Sequence, residues 1–392
     1  MRYSIILPLL ATTVLSAPTV EQRQDAACTV PTTFPTTANT KLPNPFKFFD
    51  GRAVTTKADF ACKNKEVSAA LQAQELGDFP KKPSTVTASL SGSSLSITST
   101  EGGKSVTFSV SIKKPSGNGP FPAIIAYGAS SIPIPSSVAT ITFNNDDIAQ
   151  QQSSSSSRGK GKFFDLYGSG HSAGALIAWA WGVDRIMDAL EATPATGIDP
   201  KRVGVTGCSR NGKGAFVAAA FVDRIALGIP QESGSGGAAC WRISDSEKAK
   251  GKNIQTSSQI VTENVWFSTR FNSFSTKANT LATDHHQLAG MVAPRGLIVI
   301  ENEIDWLGPV ATTACMKAAR LIYKSLGAPD NMGFTGSGNH NHCSFPSNQQ
   351  ADLTAYINRF LLNQTANTGN IEKGPSGADA ATYIDWTAPT LT

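Results

Sequence analysis

The sequence predicts an α/β protein, a three-layer αβα sandwich around a mostly parallel sheet with an antiparallel N-terminal part. Three observations carry this. Short apolar runs alternate with helix-forming segments, the pattern of a doubly wound sheet. Residues 86–112 alternate apolar side chains with Ser and Thr at period two, as antiparallel strands with one open face do. The β-branched stretch Val203-Gly204-Val205-Thr206 passes through a small-residue turn, Gly207-Cys208-Ser209, into a helix-forming run at 215–222.

The elements follow in order. Residues 1–17 read as a secretory signal: Arg2 gives a positive start, 5–14 are apolar, and Ser16-Ala17 offer small residues for cleavage. Residues 18–27 read as a short leader, and 28–392 as one catalytic domain. A short helix is expected at 67–74. Strands are expected at 86–90, 95–98 and 105–112, then a strand buried on both faces at 123–127. Residues 153–157 and Arg158-Gly159-Lys160-Gly161 read as an exposed low-complexity loop. Residues 175–192 form a helix of mixed apolar and charged faces, carrying Trp179, Trp181, Arg185 and Asp188. Further strands are expected at 203–206, 225–229, 296–300 and 332–334, with helices at 312–326 and 351–362. Residues 366–392 lack periodicity and are expected to wrap the surface.

Composition narrows the function. Charged residues are only 16%, beside 34 glycines and 22 prolines, which suits a loop-rich secreted enzyme. The net charge of +5 is spread without a long basic run, which argues against nucleic acid and leaves room for an acidic polysaccharide. Beyond the signal no apolar run approaches membrane-spanning length. Cys28, Cys62, Cys208, Cys240, Cys315 and Cys343 make an even set in an oxidising compartment, so three disulfides are expected. No C-x-x-C and no paired-His spacing supports a metal site. Asn363-Gln364-Thr365 is the one N-glycosylation acceptor.

The turn at Ser209 carries the chemistry. A strand, a tight small-residue turn and a helix lift a serine hydroxyl above the sheet, and the N–H of Arg210 then faces a developing oxyanion. This is the nucleophile elbow of α/β-hydrolases, with Asn211 where the G-x-S-x-G pattern has glycine and Gly212 one residue later. The rival reading is a P-loop, Gly207 to Gly212-Lys213, but Gly214 replaces the Ser or Thr that holds magnesium. An ordinary buried Gly/Ser turn is the plainer alternative. A serine needs a base. Of His171, His285, His286, His340 and His342, only the last two follow the final strand, where the hydrolase base lies. His342 is preferred because Cys343 adjoins it and Cys208 adjoins Ser209, so a Cys208–Cys343 bridge would clamp nucleophile to base. The orienting acid stays open: Glu303 or Asp305 occupy the usual position, and Glu232 ends the strand after the elbow helix.

Gly207-Cys208-Ser209-Arg210-Asn211-Gly212-Lys213-Gly214-Ala215 resembles the signature of the fungal glucuronoyl esterases. So do His171-Ser172-Ala173-Gly174-Ala175, Ala178-Trp179-Ala180-Trp181-Gly182-Val183, Pro230-Gln231-Glu232-Ser233-Gly234 and Asn339-His340-Asn341-His342-Cys343. The resemblance covers most of residues 28–385. It implies an α/β-hydrolase without metal or other cofactor that cleaves esters between 4-O-methyl-glucuronic acid of glucuronoxylan and lignin alcohols. It implies Ser209 as nucleophile, His342 as base, and Glu232 as acid, after the sixth strand of the hydrolase sheet rather than the usual seventh. It implies Arg210 at the oxyanion, Lys213, Gln255, Glu263 and Trp306 as glucuronate contacts, and disulfides Cys28–Cys62, Cys208–Cys343 and Cys240–Cys315. Lys213 has separate support, since a cation in the first turn opposes the helix dipole and so suggests another use. No cysteine-rich terminal segment suggests a cellulose-binding module, so a catalytic domain alone is expected, extracellular and monomeric, without nucleic-acid or membrane partners. The rivals are an acetyl xylan or feruloyl esterase using the same triad, and a non-catalytic polysaccharide-binding protein on a hydrolase scaffold.

Overall fold

A computed structural model of the chain describes residues 28–152 and 156–392. The expected signal and leader, and part of the serine run, lie outside the described residues. The strands are β1 (Thr85–Ser91), β2 (Ser94–Glu101), β3 (Lys104–Lys113), β4 (Phe121–Tyr127), β5 (Ala139–Phe143), β6 (Ile198–Cys208), β7 (Leu227–Gln231), β8 (Gly296–Asn302), β9 (Met332–Ser337) and β10 (Glu372–Lys373). They form one sheet in the order β1-β2-β3-β5-β4-β6-β7-β8-β9-β10. The edge from β1 to β3 is antiparallel, β5 runs antiparallel to β3, and every pairing from β5 and β4 to β10 is parallel. The expected architecture is therefore present, with β5 and β10 added.

The helices are α1 (Lys57–Leu71), α2 (Asn145–Ile148), α3 (Lys162–Tyr167), α4 (Ala175–Ala192), α5 (Arg210–Phe221), α6 (Trp241–Ala249), α7 (Ser257–Glu263), α8 (His285–Val292), α9 (Pro309–Ser325) and α10 (Gln350–Phe360). Helix α1 begins ten residues before the expected helix, fixed by a capping box between Thr56 and Asp59. A π-helical turn, Gln72–Leu76, continues it. Helix α5 starts directly after Ser209, five residues earlier than expected.

Alternation along the central strands explains the layers. Leu297 and Val299 of β8 join the larger core, while Ile298 and Ile300 join a second cluster with Ile124, Leu227 and Ile229 on the opposite face. Leu353, Tyr356 and Ile357 of α10 cover that second cluster. The larger cluster takes apolar residues of α1, α4, α5, α8 and α9. The sandwich is thus uneven, with its thick helical layer on one face.

On the antiparallel edge the exposed face carries paired hydroxyls, Ser96–Ser109 at 2.9 Å, Thr98–Thr107 at 2.8 Å and Thr100–Ser105 at 2.7 Å. The expected open Ser/Thr face is this one. Helix α4 has the expected mixed faces: Asp184, Asp188 and Glu191 share one side and all pair with Arg224, while Arg185, buried, pairs with Asp188 at 2.8 Å, because a buried charge needs a partner. Two other expectations are corrected. Within the serine loop, Ser157 is buried and Arg158 is half-buried, its guanidinium donating to the Phe267 carbonyl at 3.1 Å. Residues 366–392 do not merely wrap the surface: β10 pairs with β9, and Trp386 and Leu391 enter the core. Among the described residues no helix is long and apolar enough to cross a membrane.

Because α10 covers the second core cluster, truncating its fully buried Leu353 leaves a cavity that no other helix can fill. Leu353→Ala is expected to lower the unfolding free energy by about 2–5 kcal/mol. Urea denaturation checks this; the midpoint should fall while the slope stays unchanged.

Candidate active site

Ser209 stands between β6 and α5 at φ 61°, ψ −125°, outside the regions that side-chain-bearing residues favour. The turn closes because its neighbours are glycines. A Cβ on Gly207 would lie 2.4 Å from the Asn211 carbonyl oxygen, and one on Gly212 would lie 2.4 Å from that of Gln231. Gly212 thus supplies the close approach to β7, which frees position 211 to be Asn. The Asn211 amide donates to the Tyr127 carbonyl at 3.2 Å and accepts from Asn145 at 3.1 Å, tying the elbow to β4. The Ser209 N–H donates to the Gln231 carbonyl at 2.9 Å. Arg210 opens α5 and is exposed, so its backbone N–H belongs to the first turn, where N–H groups lack intrahelical acceptors.

A Cys208–Cys343 disulfide joins the elbow to the segment after β9 across 135 residues. A loop of that length constrains the unfolded chain by about 2–5 kcal/mol. The sulfurs, the Glu232 carboxylate and the His342 ring have ligand atoms within 4.8 Å of one another. Both thiols of this cluster are consumed by the disulfide, which leaves one carboxylate and one imidazole, too few for a metal. The other two expected bridges are also present, Cys28–Cys62 and Cys240–Cys315.

His342 Nδ1 lies 2.7 Å from Glu232 Oε2. Nδ1–H therefore donates to the carboxylate, and the Nε2 lone pair is the available base. Nε2 is buried and makes no hydrogen bond among the described residues, to the Ser209 hydroxyl or to any other group. Such contacts are commonly long in unliganded sites. The Trp306 ring packs edge-on to the imidazole, centroids 4.8 Å apart at 75°.

Glu232 is fully buried at the end of β7 with φ 45°. Its Oε2 also accepts from the Cys343 N–H at 2.9 Å and, more weakly, from Asn302 at 3.4 Å. Gln231 donates to Oε1 at 3.4 Å. Among the carboxylates left open by the sequence, Glu232 meets His342; Glu303 and Asp305 are exposed and bond to neither candidate histidine. His340 Nδ1 lies 3.8 Å from Glu232 Oε1, too far to hydrogen-bond it, and its ring nitrogens bond other groups. Its Nε2 bonds the Ser337 carbonyl at 3.0 Å, and Asn302 donates to its Nδ1 at 3.2 Å.

The remaining site residues extend this group. Gln255 N–H donates to the Trp306 carbonyl at 3.2 Å, and its side chain donates to Glu263 at 2.9 Å. Lys213 is 3% exposed, and its ammonium donates to the Ser233 carbonyl at 2.5 Å. Burial pushes its pKa down to about 8, against the pull of Glu301 and Glu263, with Arg210 pushing the same way as burial. Arg210 and Lys213 both lie near the Trp266 ring, 5.7 and 5.8 Å from its centroid. A P-loop lysine reaches toward phosphates; this one points into the β7 turn. Sequence reasoning missed Asn302, Glu301 and Trp266. The first two stand at the end of β8, the only signal that could have found them. Asn363 is exposed, as a glycosylation acceptor must be.

The family model described as glucuronyl esterase, fungi, matches residues 97–327. The 4-O-methyl-glucuronoyl methylesterase of Neurospora crassa is 59% identical over 387 residues, 98% of each chain. That of Hypocrea jecorina is 55% identical over 355 residues, 90% of this chain and 77% of its own. Among solved structures, a serine-to-alanine mutant of Sporotrichum thermophile glucuronoyl esterase was determined in complex with methyl 4-O-methyl-beta-D-glucopyranuronate. It is 57% identical with a TM-score of 0.91, covering 93% of this chain and 100% of that one. The Teredinibacter turnerae glucuronoyl esterase, at 18% identity, TM-score 0.66 and coverage of 81% and 89%, shares the fold.

If the Cys208–Cys343 bridge fixes base to nucleophile, removing it should loosen the site more than the sheet. Cys208→Ala with Cys343→Ala is expected to slow labelling of Ser209 by a sulfonyl fluoride at least ~10-fold. Far-ultraviolet circular dichroism should stay unchanged. Unaltered labelling would mean that the bridge serves stability alone.

Proposed function

The chain belongs to the fungal glucuronoyl esterase family and is a carboxylic ester hydrolase, and from that premise we propose that it is a secreted serine esterase of glucuronoxylan. It hydrolyses esters joining 4-O-methyl-D-glucuronic acid to lignin alcohols. Residues 28–392 act as a single, monomeric catalytic domain outside the cell. The observation that carries this reading is the pair of opposed ring nitrogens on His342: Nδ1 bonded to buried Glu232, Nε2 uncommitted and tied through the disulfide to the turn of Ser209.

In this mechanism Ser209 Oγ attacks the C6 carbonyl carbon while His342 Nε2 takes its proton. Glu232 holds the ring in that tautomer and stabilises the imidazolium. The carbonyl π electrons move to oxygen, where the Arg210 N–H and guanidinium stabilise the charge. Collapse of the tetrahedral intermediate breaks the bond to the alcohol oxygen, which receives the proton from His342. Water then repeats the sequence on the acyl-enzyme and releases the uronate with Ser209 restored. Lys213, Gln255, Glu263 and Trp306 hold the sugar. Gln255 and Glu263 are already paired, and Trp306 joins the sugar pocket to the base.

Hydrolysis of a benzyl ester of glucuronic acid and of its 4-O-methyl form, beside acetylated xylan and methyl ferulate, tests the acyl group. Turnover confined to the glucuronates is expected; cleavage of only the acetyl or feruloyl substrates would overturn the substrate class.

The triad is tested separately. Ser209→Ala should remove turnover with folding intact. Glu232→Gln should lower kcat by about 10³–10⁴-fold, while Glu303→Gln and Asp305→Asn stay within about threefold. A severe loss in Asp305→Asn with a mild one in Glu232→Gln would reverse the assignment of the acid.

A further inference from the structure

Glu301 is a second buried carboxylate beside Glu232, 4% exposed at the end of β8, and no step above uses it. Its Oε1 accepts three bonds: from the Ser233 N–H at 2.9 Å, the Ser233 hydroxyl at 3.0 Å and the Gly234 N–H at 3.2 Å. Ser233 is the residue after Glu232. Its carbonyl accepts the Lys213 ammonium at 2.5 Å, and the Glu232 N–H donates to the Ile300 carbonyl at 2.6 Å. The turn that follows Glu232 is thus gripped by an anion on its donors and a cation on its acceptor. The second oxygen, Oε2, has no partner among the described residues, and Glu301 lines a 10 Å³ cavity beside Thr312 and Thr335.

A buried carboxylate is costly, and three donors on one oxygen satisfy only half of it. A structural clamp for two N–H groups needs no charge; an Asn or Gln oxygen would serve. What the charge can serve is the buried ammonium on the other side of Ser233, which acts on Glu301 through space.

We propose that Glu301 is a positioning residue for the reaction, one that holds the Ser233-Gly234 turn so that Glu232 stays aimed at His342 and that keeps Lys213 cationic in the uronate pocket. The charges facing the pair are few. Lys213 feels Glu301 first, then Glu263, and is opposed by Arg210. Burial pushes Glu301 up to about 7, its Gly234 and Ser233 bonds oppose this, Glu232 adds to it and Lys213 counters it. Glu303 and Lys373 line the same cavity; Lys373 is paired with Asp352 at 2.7 Å. Lys213 loses its charge as pH rises through about 8 and Glu301 loses its charge as pH falls through about 7, so the charged pair is most populated between them.

The proposal rests on the esterase reading and is tested in the same glucuronate-ester assay, from about pH 5 to 9. Glu301→Gln keeps the accepting oxygen and removes the charge. It is expected to raise KM about tenfold at mildly alkaline pH, with kcat within about threefold. The alkaline fall in kcat/KM should begin at least about one pH unit lower than in the wild type, because the lysine has lost its main counter-charge. Glu301→Ala removes the clamp as well and should lower kcat further, and the Gln variant should rescue kcat without restoring the pH profile. In a Lys213→Met background, Glu301→Gln should add little to KM, since it acts through the lysine.

A Glu301→Gln enzyme with wild-type KM and pH profile would overturn the proposal. So would equal losses in Lys213 and Lys213→Met backgrounds. If Ser209→Ala or Glu232→Gln proves active in the same assay, it is the triad reading that fails, and Glu301 is judged by its own KM and pH shifts.

Discussion

The bond from His342 to Glu232 is the interaction on which the rest of the site depends. Taking a carboxylate out of water costs several kcal/mol, and Glu232 is fully buried. Its partners are the His342 ring, the Cys343 N–H, Asn302 and Gln231. They come from three pieces of chain, and each piece is fixed by something else. His342 and Cys343 are tied to the elbow by the disulfide, Asn302 ends β8, and Gln231 ends β7. Removing the carboxylate would leave a backbone N–H and an imidazole N–H buried without acceptors, so the cost would exceed that of one hydrogen bond.

The same dependence explains where the backbone is strained. Among described non-glycine residues, Ser209, Glu232 and Cys343 have φ between 45° and 65°. The others at positive φ are Asn339, Asn363 and Asn370, a residue type that tolerates the left-handed region. Strain of about 1–3 kcal/mol per residue is thus concentrated at the three residues proposed as nucleophile, as acid and as neighbour of the base. It persists because surrounding structure over-determines it: the parallel ladder between β6, β7 and β8, the disulfide, and close glycine packing at Gly207 and Gly212.

Much of this was legible in the sequence, and its limits are physical. Parallel strands read as apolar runs because both faces are buried, so β4, β6, β7 and β8 were found within a few residues. Strand β5 was missed because Ala139-Thr140-Ile141-Thr142-Phe143 is short and lies in a Pro- and Ser-rich stretch. Helix α1 was cut short because its first ten residues, Lys57 to Glu66, are rich in charge and bury Lys63 and Glu66 as a pair beside Phe60 rather than an apolar stripe. Ser209 stood out from the turn chemistry, and His342 from the cysteines that adjoin it and Ser209, which the disulfide joins. Glu232 was not separable from Glu303 and Asp305 by spacing, because strand order decides which loop faces the base. Glu301 was hidden for the same reason: its partners, Ser233 and Lys213, are remote in sequence and meet it only through the β6-β7-β8 order.

The polar groups around the proposed reaction centre divide by burial. Glu232, Glu301 and Lys213 are all nearly inaccessible, whereas Arg210 and Glu263 are exposed and Trp306 is half-buried. Low dielectric strengthens the interactions of the first group and fixes their geometry, while water screens the second. A group held against the buried side is discriminated by unpaired-charge penalties worth several powers of ten, and a group on the open side by little more than contact. Of the contacts proposed for the sugar, Lys213 belongs to the first group and Glu263 and Trp306 to the second, so a bound sugar would span both.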